Sequence, residues 1–198
     1  GYKESWRVKH KLFRCRKTMI DEHLLKESTH LVELLDKQAD AMLPKDIADV
    51  VKLHSKLAVG SAWIPVPGAD VAAGAATIWT MYTRINSKLG VSLKENILKT
   101  IASGVATNLA SYAAMAGVAS ALKFIPGIGS IGGAVLMSAS LYGITIASGW
   151  VYLKALCTLA EKDGVNLDMN KLGDAVKDVL KDASIKKIIE EAKKEYKK

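Results

Sequence analysis

Residues 100–122, TIASGVATNLASYAAMAGVASAL, and residues 124–153, FIPGIGSIGGAVLMSASLYGITIASGWVYL, contain no Asp, Glu, Lys or Arg and are separated only by Lys123. At 23 and 30 residues, each is long enough as a helix to cross a bilayer, for which about 20 residues suffice. In the first run Ile101, Val105, Leu109, Tyr112, Met115, Val118 and Leu122 recur every three or four positions, the spacing of one helical face. The remaining positions are mostly Ala, Ser, Thr and Gly. Ala113-x-x-x-Gly117-x-x-x-Ala121, Gly129-x-x-x-Gly133 and Ala139-x-x-x-Gly143-x-x-x-Ala147 are spacings that let helix backbones approach closely. With Phe124-Ile125-Pro126-Gly127 as a turn, the two runs read as a helical hairpin over residues 92–161. Gly117, Gly129, Gly133 and Gly143 are its expected packing positions. Lys123 falls at the tip, and Trp150, Tyr152 and Lys154 cluster at the far end in the manner of interfacial anchors.

Outward from the hairpin the pattern becomes amphipathic. Ser92-Leu93-Lys94-Glu95 matches a capping box and predicts a helix start at Ser92. Before it, Gly90 suits a C-terminal cap for a helix running from near Asp70 through Trp79, Tyr82 and Arg84 to Leu89. The prolines of Ile64-Pro65-Val66-Pro67-Gly68 interrupt helix. From Thr18, Leu24, Leu31, Leu35 and Met42 share a face, and Pro44 is expected to close that helix. A second stretch from Asp46 places Ile47, Val50, Leu53 and Leu57 toward a partner. After Gly164, Leu172, Val176, Val179, Ile185, Ile188, Ile189 and Tyr196 mark two short amphipathic helices. No stretch alternates as a strand does, and no internal repeat is evident. The expected fold is therefore all-α, a helical bundle with amphipathic helices around a central Ala/Gly-rich apolar hairpin. With 198 residues and 49% apolar content, one domain spanning 1–198 is expected. Its parts are a basic segment with amphipathic helices (1–57), an apolar core (58–160) and charged C-terminal helices (161–198).

The net charge of +8 is unevenly placed. Residues 58–160 hold only 6 Lys/Arg and 2 Asp/Glu, whereas residues 3–17 carry seven basic side chains against Glu4. Within that segment Trp6, Arg7, Lys9, Lys11, Arg14, Arg16 and Lys17 combine apolar and cationic character suited to an anionic membrane surface. A solvated terminal helix has the same composition. Elsewhere bases alternate with acids, so nucleic acid is not an expected partner. The residues before 18 form no signal peptide, and the first residue is Gly1, which reads as a fragment or a processed chain.

No catalytic constellation emerges. Gly127-Ile128-Gly129-Ser130-Ile131-Gly132 matches G-x-G-x-x-G, but a helix precedes it where a dinucleotide site needs a strand. There is no phosphate-binding G-x-x-x-x-G-K-[ST] loop. His10, His23, His30 and His54 lack metal-ligand spacing, and Cys15 and Cys157 lie far apart. Asp70, after Pro-Gly-Ala, reads as a helix cap. No catalytic residue, metal or cofactor is expected.

Several of these segments occur together in a familiar order. Ile64-Pro65-Val66-Pro67-Gly68-Ala69-Asp70, Lys88-Leu89-Gly90-Val91-Ser92 and the run from Phe124-Ile125-Pro126-Gly127 through Gly133-Ala134 resemble the YcjF-like GTPase-associated helical domain of unknown function, over about residues 58–157. The resemblance implies a helical membrane-associated module encoded beside, or fused after, a GTPase, with no reaction of its own. Matching positions are Pro65, Pro67, Asp70, Gly90, Pro126, Gly127, Gly129 and Gly133.

The leading expectation is a non-enzymatic membrane-associated module acting with a GTPase in cis or in trans, at the cytoplasmic face of a membrane or integral to it. The partners are then a lipid membrane and a GTPase domain, with oligomerisation left open. One alternative is a pore-forming toxin or effector, soluble before its hairpin inserts. The other is a soluble helical interaction module, favoured by the eight alanines that weaken residues 100–122 as a span.

Overall fold

The computed structural model describes residues 19–35, 43–60, 69–114, 130–164 and 166–196. Among the described residues the chain forms seven α-helices and no strand, as the hydrophobic periodicity predicts. They are α1 (Met19–Leu34), α2 (Pro44–Val59), α3 (Ala69–Leu89), α4 (Glu95–Ala114), α5 (Ser130–Asp163), α6 (Leu172–Val179) and α7 (Ser184–Tyr196), with a 3₁₀ turn, Met169–Lys171, leading into α6.

α5 is the axis of the bundle and touches every other helix. Every described residue from Ser138 to Leu153 is buried, which is the expected state of a helix that is apolar on all sides. The others are amphipathic and turn one stripe toward it. On α1 the stripe is Ile20, Leu24, Ser28 and Leu31, and on α7 it is Ile185, Ile188, Ile189 and Ala192. Fully burying an aliphatic side chain stabilises the fold by about 1.5–3 kcal/mol, so these stripes hold the envelope on α5.

Two glycines terminate helices where the chain needs positive φ. Gly90 has φ 65°, and behind it Val91 N–H donates to Asn86 O (3.0 Å) and Gly90 N–H to Ser87 O (3.4 Å), a Schellman pair. Gly164 repeats the left-handed conformation at the end of α5, its N–H donating to Ala160 O (2.9 Å).

Other boundaries differ from the sequence reading. Pro44 does not close a preceding helix but opens α2 at its first position, where no intrahelical N–H is needed; Leu43 before it is extended (φ −95°, ψ 130°), as a pre-proline residue prefers. α4 starts at Glu95 instead of Ser92, and the capping box does not close. The Glu95 carboxylate pairs with Lys99 (2.6 Å), while Lys94 O accepts from Leu98 N–H (3.1 Å). Leu53 and Leu57, expected to face a partner, are 43% and 59% exposed. Trp150 and Tyr152 are not interfacial anchors but core residues, 3% and 0% exposed.

The described parts of the expected hairpin, 95–114 and 130–161, pair with other helices more than with each other. α4 lies chiefly along α3 and touches α5 less extensively, whereas the most extensive neighbours of α5 are α7, α2 and α1. On α4, Gly104 faces open space. Gly104→Ala is therefore expected to raise stability by up to about 1 kcal/mol, by restricting the unfolded chain and favouring helix. A higher urea midpoint would register this.

Candidate functional site

The candidate site is the apolar helix α5 together with the contacts that enclose it, because the described residues converge nowhere on a chemical centre. No group of three or more His, Cys, Asp or Glu capable of holding a metal is found among them. One open groove, about 580 Å³, is lined by Lys154, Lys162, Lys171, Asp174, Asp178 and Asp182 among others. Lys154 and Asp182 pair across it (2.6 Å), and Asp178 pairs with Lys181 (2.8 Å). Such exposed pairs are a solvated helix seam more than a receptor for an ion.

Two glycines set how closely helices approach α5. A Cβ on Gly149 would lie 2.7 Å from Val51 Cγ2, so α2 crosses α5 at near-backbone contact there. A Cβ on Gly143 would lie 3.0 Å from the Ile189 carbonyl oxygen. Gly143 is thus a close-packing position, but for α7 and not for the hairpin partner expected from sequence.

Buried polar groups tie the envelope to the axis. Tyr82 on α3 and Tyr152 on α5 stack with ring centroids 3.9 Å apart and planes 9° apart. The Tyr82 hydroxyl donates to Ser148 O (2.9 Å), and the Tyr152 hydroxyl donates to Asn86 Oδ1 (2.7 Å). Burial raises both phenols well above their ordinary value, so they remain neutral donors. Ser28, Ser55 and Thr145 return their hydroxyls to carbonyls one turn back, at 2.6–2.8 Å, whereas Ser138 Oγ and Trp150 Nε1 on α5 are buried without a hydrogen-bond partner. Cys157, also buried, has its thiol pushed up to about 12 by burial and by Glu27 and Glu161, which removes thiolate reactivity at neutral pH.

Ion pairs close the outer seams. Lys52 on α2 meets Asp21 on α1 (2.7 Å), and His30 on α1 meets Glu161 on α5 (2.9 Å). Lys154 reaches from α5 to Asp182 in the α6–α7 turn, holding that carboxyl down at about 2, while Asp182 Oδ1 accepts from Ser184 N–H (2.8 Å) at the start of α7. The Lys154 ammonium also sits 4.5 Å over the Trp150 ring.

His54 is the titratable group within the α2 stripe. It is 2% exposed, and its Nδ1–H donates to Val50 O (2.9 Å). Burial lowers its pKa most, the Val50 bond opposes this, and Arg84 lowers it further. The unfolded chain, with His near 6.5, therefore takes up the proton first. The stabilisation is complete above about pH 6.5 and is lost as pH falls through 6.5 toward the lower folded value. Urea midpoints at pH 7.5 and 5.5 should differ more for the parent than for His54→Gln. Equal differences would remove His54 as the cause.

The sites expected from sequence are distributed unevenly over this structure. Trp6, Arg7, Lys9, Lys11, Arg14, Arg16 and Lys17 lie outside the described residues, as do Pro65, Pro67, Gly117, Pro126, Gly127 and Gly129. Asp70 is the second residue of α3, and Gly133 lies in the first turn of α5. Sequence reasoning did not single out Gly149, Asn86, His54 or the Tyr82–Tyr152 stack. A glycine and a histidine on otherwise ordinary helical faces carry no signal until the facing helix is known.

The fold and site together define a class: an all-α bundle in which amphipathic helices enclose one long apolar helix. In comparisons with known proteins, no family model, no curated protein and no solved structure matches this chain.

Proposed function

We propose that this protein is a non-enzymatic, membrane-associated helical module that keeps an apolar helix enclosed until it meets lipid. One observation carries the reading. Met137–Asp163 of α5 is long and apolar enough to cross a membrane, and 89% of its most apolar 18-residue window is buried inside the bundle. The basic residues between Arg7 and Lys17 supply attraction to anionic headgroups, at roughly 1 kcal/mol for each charge near the surface. A GTPase as functional partner is supported by the sequence resemblance over residues 58–157 alone.

The burial of α5 also favours a second reading, a soluble interaction bundle for which α5 is simply the core. Dye-loaded vesicles containing anionic lipid, floated on a gradient after mixing with the full chain, separate the two. Flotation without dye release is the expected result. Flotation with release would replace it with the pore-forming alternative, and failure to float at low salt would leave the soluble bundle.

A further inference from the structure

We infer that α7 is an autoinhibitory strap: it covers residues 142–153, part of the apolar run of α5, and has to leave before that run reaches lipid. This rests on the membrane reading above and assigns the element that controls it.

α7 runs antiparallel along this part of α5. Just before its first turn Asp182 meets Lys154 (2.6 Å); further on, the Ile189 carbonyl and the Lys193 stem cover Gly143, and the Tyr196 ring lies 5.5 Å from that of Tyr142. Ile185, Ile188, Ile189 and Ala192 are buried on its inner side, while Lys186, Lys187, Glu190 and Lys194 are exposed on its outer side. α7 thus lays a water-compatible face over an apolar helix. Apart from α5, it shares only a smaller seam with α1 and touches α4 through Lys186, whose ammonium is 5.5 Å from the Tyr112 ring centre. It can therefore lift off with the α1–α2, α2–α3 and α3–α4 packing intact. α2, the other extensive cover of α5, is wedged between α1 and α3 and cannot leave without parting from both.

Two features make this seam the one that lipid opens. In water it is held by apolar burial, and a bilayer removes that driving force, because acyl chains are as apolar as the side chains they replace. An apolar stripe opposite a charged face is also the pattern of a helix that lies in a membrane interface, so α7 has an alternative place to bury Ile185, Ile188 and Ile189. The closed state, moreover, leaves polar atoms unsatisfied. Glu191 Oε2 on α7 is buried without a hydrogen-bond partner, 3.7 Å from His23 Nε2 of α1, and Trp150 Nε1, beneath the Lys154 ammonium, has none either. Such groups destabilise the closed state, and water or headgroups relieve them once α7 has left. The polar latch is Lys154 with Asp182, whose Oδ1 also accepts from Ser184 N–H (2.8 Å). Anionic headgroups offer the partly exposed Lys154 a second acceptor in place of Asp182. At the far end, Glu195 stands near Lys52 and Tyr142.

The test locks α7 in place. A Cβ at Gly143 would lie 3.3 Å from Lys193 Cγ. Lys193 Cβ is then no more than about 5 Å away, close to the separation of about 3.5–4.5 Å in disulfides. In the full chain carrying Cys15→Ser and Cys157→Ser, Gly143→Cys with Lys193→Cys is oxidised, with loss of free thiols as the check, and compared with its own reduced form, which has the same crowding at Ile189 O. The readout is the fraction that floats with vesicles of phosphatidylglycerol and phosphatidylcholine after a high-salt wash, since salt screens attraction to the surface alone. Oxidation should lower that fraction several-fold. Asp182→Ala, which needs no new bond, should raise it several-fold over the parent. Asp21→Ala, at a comparably exposed ion pair between α1 and α2, should leave it near the parent value. Circular dichroism checks that every variant keeps its helices. Equal fractions in the oxidised and reduced forms, no rise for Asp182→Ala, or a matching rise for Asp21→Ala would overturn the strap while the membrane reading stands. Absence of flotation in the parent chain at low salt would overturn both.

Discussion

Gly149→Val is expected to lose about 3 kcal/mol of folding stability, the upper part of the range for overpacking a core. The cause is local. A Cβ at this position would lie 2.7 Å from Val51 Cγ2, well inside the 3.5–4.0 Å at which carbon atoms attract. Val51 cannot swing aside, because a β-branched side chain in a helix has one strongly preferred χ1 rotamer and Val51 is fully buried. The helices must separate instead, which loosens Ile47, Val50, Ala48 and Ala58 from the core along α2. Gly149→Ala should show the same direction more weakly, since better helix propensity returns up to about 1 kcal/mol. Adding Val51→Ala removes the methyl groups in the way, so Gly149→Ala with Val51→Ala should show a favourable coupling of more than about 1 kcal/mol in a urea double-mutant cycle. Additive losses would mean that the α2–α5 crossing is not the point of strain. If α2 helps keep α5 from lipid, Gly149→Val should also float on anionic vesicles more readily than the parent, at a temperature where both retain their helices.

That crossing marks the boundary between what the sequence discloses and what it does not. The all-α fold follows from period and composition, and the helix ends at Gly90 and Gly164 follow from local chemistry, because left-handed φ is cheap only for glycine. The stripes of α6 and α7 are equally readable, since Leu172, Val176, Val179, Ile185, Ile188 and Ile189 keep helical spacing and all are buried. Partner choice is a different matter. A small-residue spacing such as Ala139-x-x-x-Gly143 says that some backbone comes close, and the ladder is the same whether that backbone belongs to α4 or to α7. Here it is the Ile189 carbonyl of α7. The orientation of α2 was illegible for a related reason. Val51 must face Gly149, and that rotation turns Leu53 and Leu57 outward although their spacing from Ile47 and Val50 fits an inward stripe. Trp150, Tyr152 and Lys154 have the composition of an interfacial anchor. What seats Tyr152 in the core is Asn86 and Tyr82, and what holds Lys154 at the outer seam is Asp182, three groups at least 28 residues away in sequence.

Tyr152→Ala is expected to cost about 4 kcal/mol, within the range for emptying a large aromatic site in a core. Three losses coincide. The ring leaves a cavity at a position with no solvent exposure, the stack with Tyr82 disappears, and Asn86 Oδ1, on a residue only 4% exposed, loses its donor. Tyr152→Phe separates these terms, because it keeps the ring and removes only the hydroxyl. It should lose about 1–3 kcal/mol, the penalty for leaving a buried acceptor unpaired. If that penalty is the cause, Asn86→Leu combined with Tyr152→Phe should recover most of it, since replacing both partners by apolar groups removes the need for a hydrogen bond. Urea titrations of the three variants and the parent decide the matter, and a double variant no more stable than Tyr152→Phe would place the cost in packing instead. The position of the network confines the loss to one seam. Tyr82, Asn86 and Tyr152 join α3 to α5 just where the charge-free run of α5 ends at Leu153, without involving α2 or α7. The bond that would be lost shares the α3–α5 seam with the Tyr82–Ser148 bond, whereas α2 and α7 are held by apolar stripes and outer ion pairs. Tyr152→Phe should accordingly speed amide hydrogen exchange in α3 more than in α2 or α7, at temperatures where its helicity is unchanged.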